Sequence, residues 1–434
     1  MARLRVYARV LGLVVVLVAA VAVGMPRAAV AAPAQAMDAS GEYTPVTPAR
    51  ILDTRSGEGR GGVAGPLGPG VSVTVPVAGR GGVPASGVSA VVLNATVVTP
   101  TAHGFLTVWP SGQPRPLASN LNFVPGQTVP NMVTVGVGTG GAVDVFNPAG
   151  STHVLFDVVG FYATAGGPAG SRYFPTNFPT RAFDTRSGAG GVGAAPLGPG
   201  GTLEFQFGGV GDVPSSGVRA VVMNVTVDQP TAPGYLSIYP AGVARPEVSS
   251  LNFVPGLTVA NLVTVPVSES GAVRFFNALG STHVIVDVFG WYADGGGRAT
   301  FGRFVPLTPY RADDSRLRPL LTPRGGNIYG VVLGGVGSIP AGAASAVVTN
   351  VTVVQPQPGG WLTAFPNLFC QVPEISNINY ETLRTTPNMV IVTMAPFAGC
   401  DALNRESMLY SISRHWLVES RADVIVDVFG YFSG

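Results

Sequence analysis

STHVLFDVVGFY, from Ser151 to Tyr162, returns as STHVIVDVFGWY at Ser281 to Tyr292 and as ADVIVDVFGYF at Ala422 to Phe432. Each copy is a run of β-branched and aromatic residues around one aspartate, the composition of a buried strand. A matching opening precedes each: TPARILDTRSG at Thr47 to Gly57, FPTRAFDTRSG at Phe178 to Gly188 and, decayed, TPYRADDSR at Thr308 to Arg316. Equivalent aspartates lie 130 residues apart from Asp157 to Asp287 and 140 apart from Asp287 to Asp427. Solenoid repeats run at roughly 20–50 residues, so these are tandem domains, predicted over 37–166, 167–298 and 299–434.

Between the two signatures the pattern has period two. Val71, Val73, Val75 and Val77 alternate with Ser72, Thr74 and Pro76, and Leu203, Phe205 and Phe207 alternate with Thr202, Glu204 and Gln206. GVPASGVSAVVLNATV, Gly82 to Val97, is a turn followed by a β-branched strand. Further strands are predicted at Phe105–Trp109, Leu121–Phe123, Met132–Val137, Ala142–Phe146 and His153–Tyr162. The 59 Gly and 38 Pro fall between these runs, where turns belong. About seven or eight short strands per repeat predict an all-β chain of three tandem β-sandwich or jelly-roll-like modules. The Gly-rich joints at 163–171 and 293–302 fit both beads on a string and a compact pseudo-threefold assembly.

Residues 1–36 read as a signal peptide. Arg3, Arg5 and Arg9 precede an apolar run from Val10 to Gly24, and small residues offer cleavage after Ala31 or Ala36. The apolar run is 15 residues, short of the roughly 20 that span a bilayer. The mature chain is expected to be secreted, extracellular or wall-associated, with no membrane span. Charged residues make up 11% of the chain and the net charge is +2, which excludes the basic field that nucleic acid requires. No cofactor or metal is predicted. The two G-x-G-x-x-G runs at Gly57 and Gly188 continue into PLGPG and open no helix, and a chain without Lys has no P-loop.

The recurring charges are Arg50, Asp53, Arg55 and Asp157, then Arg181, Asp184, Arg186 and Asp287, then Arg311, Asp314, Arg316 and Asp427. An aspartate inside an apolar strand needs a partner, and an Arg from the same repeat's opening supplies a two-pronged one, so these form a predicted structural clasp. An aromatic-x-hydroxyl-x-aromatic stripe also recurs, at Phe105/Trp109, Tyr235/Tyr239 and Trp361/Phe365. It is the candidate binding face for sugar rings or a partner, and the same pattern fits an inward face. His153 and His283 are equivalent, but Asp423 takes their place in the third repeat, which argues against catalysis. Asn94, Asn224 and Asn350 each open an N-x-T triplet inside a predicted strand, not in a loop. Cys370 and Cys400, both in loops of the third repeat, are expected to form a disulfide.

The RxxDTR opening, NxTV centre and DVxGY/F ending together resemble repeat modules common in secreted actinobacterial proteins. The resemblance spans residues 43–432 and implies an exported accessory or surface role without transferable catalytic residues. The expected function is non-enzymatic surface binding, of a glycan or another surface protein. A carbohydrate-binding protein for wall or environmental glycan is the alternative. A third reading is a hydrolase with its site confined to the third repeat, around Glu374, Glu381, Asp401 and His415.

Overall fold

The computed structural model describes residues 40–164, 166–295, 300–317, 328–367, 371–394, 407–414 and 421–434. The predicted signal peptide, Cys370, Cys400, Asp401 and His415 lie outside these residues. The first repeat supplies β1 (Tyr43–Asp53), β2 (Val71–Pro76), β3 (Val88–Val98), β4 (Gly104–Pro110), β5 (Leu121–Phe123), β6 (Thr128–Gly136), β7 (Ala142–Asn147) and β8 (His153–Ala163). The second supplies β9 (Arg172–Asp184), β10 (Thr202–Gln206), β11 (Val218–Asp228), β12 (Gly234–Pro240), β13 (Leu251–Phe253), β14 (Val259–Pro266), β15 (Ala272–Asn277) and β16 (His283–Ala293). The third supplies β17 (Phe304–Asp314), β18 (Ile328–Val332), β19 (Ala344–Gln357), β20 (Gly360–Pro366), β21 (Ile378–Tyr380), β22 (Thr386–Thr393), β23 (Ser407–Arg414) and β24 (Arg421–Ser433). Each repeat forms two four-stranded antiparallel sheets, ordered β1-β8-β3-β6 and β2-β7-β4-β5 in the first and equivalently in the others.

The chain is therefore all-β, as its alternation predicts. The expected three tandem β-sandwich or jelly-roll-like modules need correction: six small antiparallel sheets are set as six blades in one ring. The physical reason lies in strands such as β3, which carries apolar residues on both faces. Val91, Leu93, Ala95 and Val97 point into the first repeat's own core. Ala90 and Val92 point the other way, into a cluster shared with Ala220 and Val222 of the second repeat and Ala346 and Val348 of the third. A strand with apolar residues on both faces must be covered on both sides, and here each repeat covers the others. Asn94 and Thr96 continue the shared face by the two-residue period, so the N-x-T triplets point inward and are buried.

At one end of the shared core six aromatic rings close a cycle. Tyr43 stacks on Tyr292, Tyr173 packs on Phe432 and Phe304 packs on Tyr162, with centroids 4.2, 4.3 and 4.5 Å apart. Each contact joins two different repeats. The glycine of the DVxG ending makes room for this layer. A Cβ on Gly160, Gly290 or Gly430 would overlap the ring of Tyr43, Tyr173 or Phe304.

Backbone bridges tie the same end together. Tyr43 exchanges hydrogen bonds of 2.7 Å with Ser171, Tyr173 N–H donates to Gly302, and Phe304 exchanges bonds of 2.9 and 2.8 Å with Gly41. Residues before β1 thus occupy the place that the two inter-repeat joints take elsewhere. Glu42 bridges Arg172 and Arg303 at 3.1 and 3.0 Å.

Gly160→Ala should lower the stability of the full chain by about 1–3 kcal/mol through overpacking, read as the denaturant midpoint. Gly198→Ala, whose Cβ would meet nothing within 4 Å, should stay within about 0.5 kcal/mol. Equal losses would contradict the aromatic layer as the reason for the glycine.

Candidate functional site

Beyond the apolar layers the shared core turns polar in a cyclic relay. Asn131 Nδ2 donates to Asn350 Oδ1 at 2.9 Å, Asn261 Nδ2 to Asn94 Oδ1 at 3.2 Å, and Asn388 Nδ2 to Asn224 Oδ1 at 2.9 Å. The Oδ1 atoms of Asn261, Asn388 and Asn131 accept the backbone N–H groups of Met132, Leu262 and Met389 at 3.2, 3.1 and 3.2 Å. Asn94, Asn224 and Asn350 donate in turn to the carbonyls of Ser249, Ser376 and Ser119, each 2.7 Å away in a neighbouring repeat. All six amides are buried, so burial is balanced by bonds that only the assembled ring can make.

The charges lie beside these seams. Arg50 grips both carboxylate oxygens of Asp157 and reaches Asp53 at 3.1 Å, and Arg55 covers Asp53 at 2.6 Å. The second repeat repeats the set with Arg181, Asp287, Asp184 and Arg186, and the third with Arg311, Asp427, Asp314 and Arg316. Two of the clasps also touch the next repeat: Ser119 N–H donates to Asp427 at 3.0 Å, and Arg181 donates to the Glu374 carbonyl at 3.1 Å. Burial raises Asp157 and Asp427, and pushes the Asp287 carboxyl up to about 6. Asp53, bonded by Arg55, is held down at about 2.

His153 and His283 sit in matched pairs. His153 and His283 bond Thr54 and Thr185 at 3.0 and 3.2 Å, and in the third repeat Asp423 accepts from Ser315 at 2.7 Å. Both members of the pair change together.

The aromatic stripe divides. Trp109, Tyr239 and Phe365 are 4, 5 and 0% exposed, which withdraws them from the predicted binding face. The segment after β4 folds back over this face, where Trp109 Nε1–H donates to the Gln113 carbonyl at 2.9 Å and Thr107 to Ala118 at 2.8 Å. Phe105, Tyr235 and Trp361 are half-buried.

A depression of about 570 Å³ opens where the β5–β6, β13–β14 and β21–β22 loops of all three repeats converge. Its wall is largely apolar, with Val124, Val129, Leu257 and Val259 among its residues. It also includes Asn122, Asn252 and Asn379, one from each repeat. The Oδ1 of each accepts the hydroxyl of Ser119, Ser249 or Ser376 at 3.3, 2.9 and 3.1 Å. Among the described residues, no Nδ2 of the three has a hydrogen-bond partner. Glu381, one of the predicted hydrolase residues, lies in the wall and pairs with Arg384 at 3.2 Å. Sequence reasoning missed this site, because Leu121–Phe123 reads only as a strand and the Pro and Gly after it only as a turn.

The loops are held by a matched backbone device. Gly126, Gly256 and Leu383 N–H groups donate to the carbonyls of Pro100, Pro230 and Pro356 at 2.7, 2.8 and 2.8 Å. The preceding residues Thr99, Gln229 and Gln355 take φ of 47, 52 and 42°, uncommon backbone for residues with a Cβ. Leu383 takes φ 62° where its counterparts are glycine, and its side chain is 60% exposed. Among the described residues no group of His, Cys, Asp and Glu could hold a metal, and no helix is long and apolar enough to cross a membrane.

Leu383→Gly should raise stability by about 1 kcal/mol, seen as a higher denaturant midpoint; a loss would show that the leucine side chain is held by contacts. The carboxylates set a pH dependence of two signs. An unfolded aspartate titrates near ~3.9, so Asp287 contributes most below about pH 4, and its contribution is lost as pH rises toward 6. Asp53 contributes above about pH 4, and loses its share as pH falls toward 2. In urea melts from pH 2 to 7, Asp287→Asn should flatten only the upper limb; an unchanged slope there would contradict the assignment.

No family model and no curated protein matches the chain. Among solved structures, that of Sulfolobus turreted icosahedral virus aligns with 91% of this chain and 91% of its own at 11% identity and a TM-score of 0.16. A second, described as the triple jelly roll fold and turret assembly of an archaeal virus, aligns with 91% of this chain and 90% of its own at 11% identity and a TM-score of 0.17. Scores at that level carry no argument about this chain.

Proposed function

We propose that this chain is an exported, non-enzymatic binding protein that takes its ligand in the depression built jointly by its three repeats. Resemblance to secreted actinobacterial repeat modules and the basic-apolar-small pattern of residues 1–36 support export. The observation that carries the binding role is the wall itself. Three matched loops present apolar surface with a few unspent amide donors, the composition of ligand sites in general.

Two experiments test it. Protein recovered from culture medium should begin at residue 32 or 37; retention in the cell with the leader intact overturns export. A thermal-shift screen of the mature protein against oligosaccharides, peptides and inorganic phosphate should return a ligand. That shift should vanish in Thr128→Trp, which fills the depression, while the variant's own melting temperature holds. A shift indifferent to Thr128→Trp, or no shift at all, overturns the site, and turnover of the ligand overturns the non-enzymatic role.

A further inference from the structure

We infer that the depression continues into a groove at the seam of the first and second repeats, and that this single cleft holds an extended, uncharged oligosaccharide packed against Tyr235. The inference rests on the binding role proposed above, and names its ligand.

The groove has a volume of about 530 Å³ and shares Thr128, Tyr235 and Asn252 with the depression. These three residues are the common wall, so one elongated ligand can occupy both compartments. Tyr235 is half-buried and its hydroxyl accepts from Arg245 Nη1 at 3.3 Å. Arg245 is itself braced over the Phe276 ring, 4.0 Å from its centroid. A preset aromatic platform at the bend of a cleft suits a flat, weakly polar face such as that of a pyranose.

Charge decides between neutral and ionic ligands. The groove's cations are Arg50, Arg55 and Arg245, and against them stand Glu247 in its wall and Asp53 and Asp157, already gripped by Arg50 and Arg55. Three positive and three negative groups leave no net field for an ion. Hydrogen bonding decides between a sugar and a peptide. The Oδ1 atoms of Asn122, Asn252 and Asn379 are already engaged by serine hydroxyls, so these side chains offer N–H donors to oxygen-rich ligands. An extended peptide would need a free strand edge to pair its own N–H and C=O groups. Here the β13 edge packs against β6 of the neighbouring repeat.

The test uses the mature full-length protein and calorimetric titration with cellohexaose, the N-acetylglucosamine hexamer, hexagalacturonate and an Ala-Gly decapeptide. At least one neutral hexasaccharide should bind. Tyr235→Ala should weaken it at least tenfold. Asn252→Asp keeps an oxygen for the Ser249 hydroxyl but removes the amide donor, and should do the same with an unchanged melting temperature. Leu279→Ser, at an exposed residue outside the cleft, should bind as the parent does. Neutral binding that survives both cleft variants, or no neutral binding at millimolar concentration, overturns the inference. Binding of the decapeptide or hexagalacturonate alone, abolished by Asn252→Asp, also overturns it but leaves the depression standing as a ligand site.

Discussion

The buried amide relay is the interaction on which the rest depends. Asn94, Asn224 and Asn350 lie in largely apolar strands, on a face closed to solvent. An orphaned buried amide costs more than a formed hydrogen bond returns. The relay therefore penalises any arrangement in which a repeat stands alone or slips in register. The apolar and aromatic layers supply most of the cohesion, since large apolar area is what drives association. The amides and clasps fix which surfaces meet and at what rotation, and so place the three loops that converge on the depression.

The third repeat has diverged in ways that keep this arithmetic balanced. Thr134 donates to the Met389 sulfur and Thr264 to the Met132 sulfur, each at 3.6 Å. At the third equivalent pairing both members are aliphatic, Ile391 and Leu262, and both lie in the shared cluster. The aromatic layer behaves likewise. Tyr162 and Tyr292 join hydroxyls at 2.6 Å, and the third position is Phe432, which brings no hydroxyl to satisfy. At these two positions the polar groups appear or vanish with their partners, whichever repeat carries them.

Much of this was legible in the sequence. Period-two runs such as Val71 to Val77 gave β2 its place, and the repeated Arg and Asp signatures anticipated the partners that close on Asp157, Asp287 and Asp427. The inward N-x-T triplets were recognisable as strand residues, but not as an inter-repeat relay, because a two-residue period reports which face a side chain takes and not what covers it. The same limit hid the ring: β3 carries apolar residues on both faces, which signals double burial without naming the second partner. The aromatic stripe misled in part because its cover is the Pro-rich segment after β4, whose folding back no local pattern encodes. The depression was illegible for a further reason. Its walls come from turns separated by more than a hundred residues, each unremarkable alone.

The bridge between Gly41 and Phe304 gives the chain a property that its linear order conceals. Ser171 beside Tyr43, Gly302 beside Tyr173 and Gly41 beside Phe304 are the same joint made three times, twice with a covalent continuation and once without. The architecture is in effect a circle, and the order in which the repeats are spelled out is one of three places to cut it. A chain begun at either Gly-rich joint, with its old ends tied together, would encode the same object.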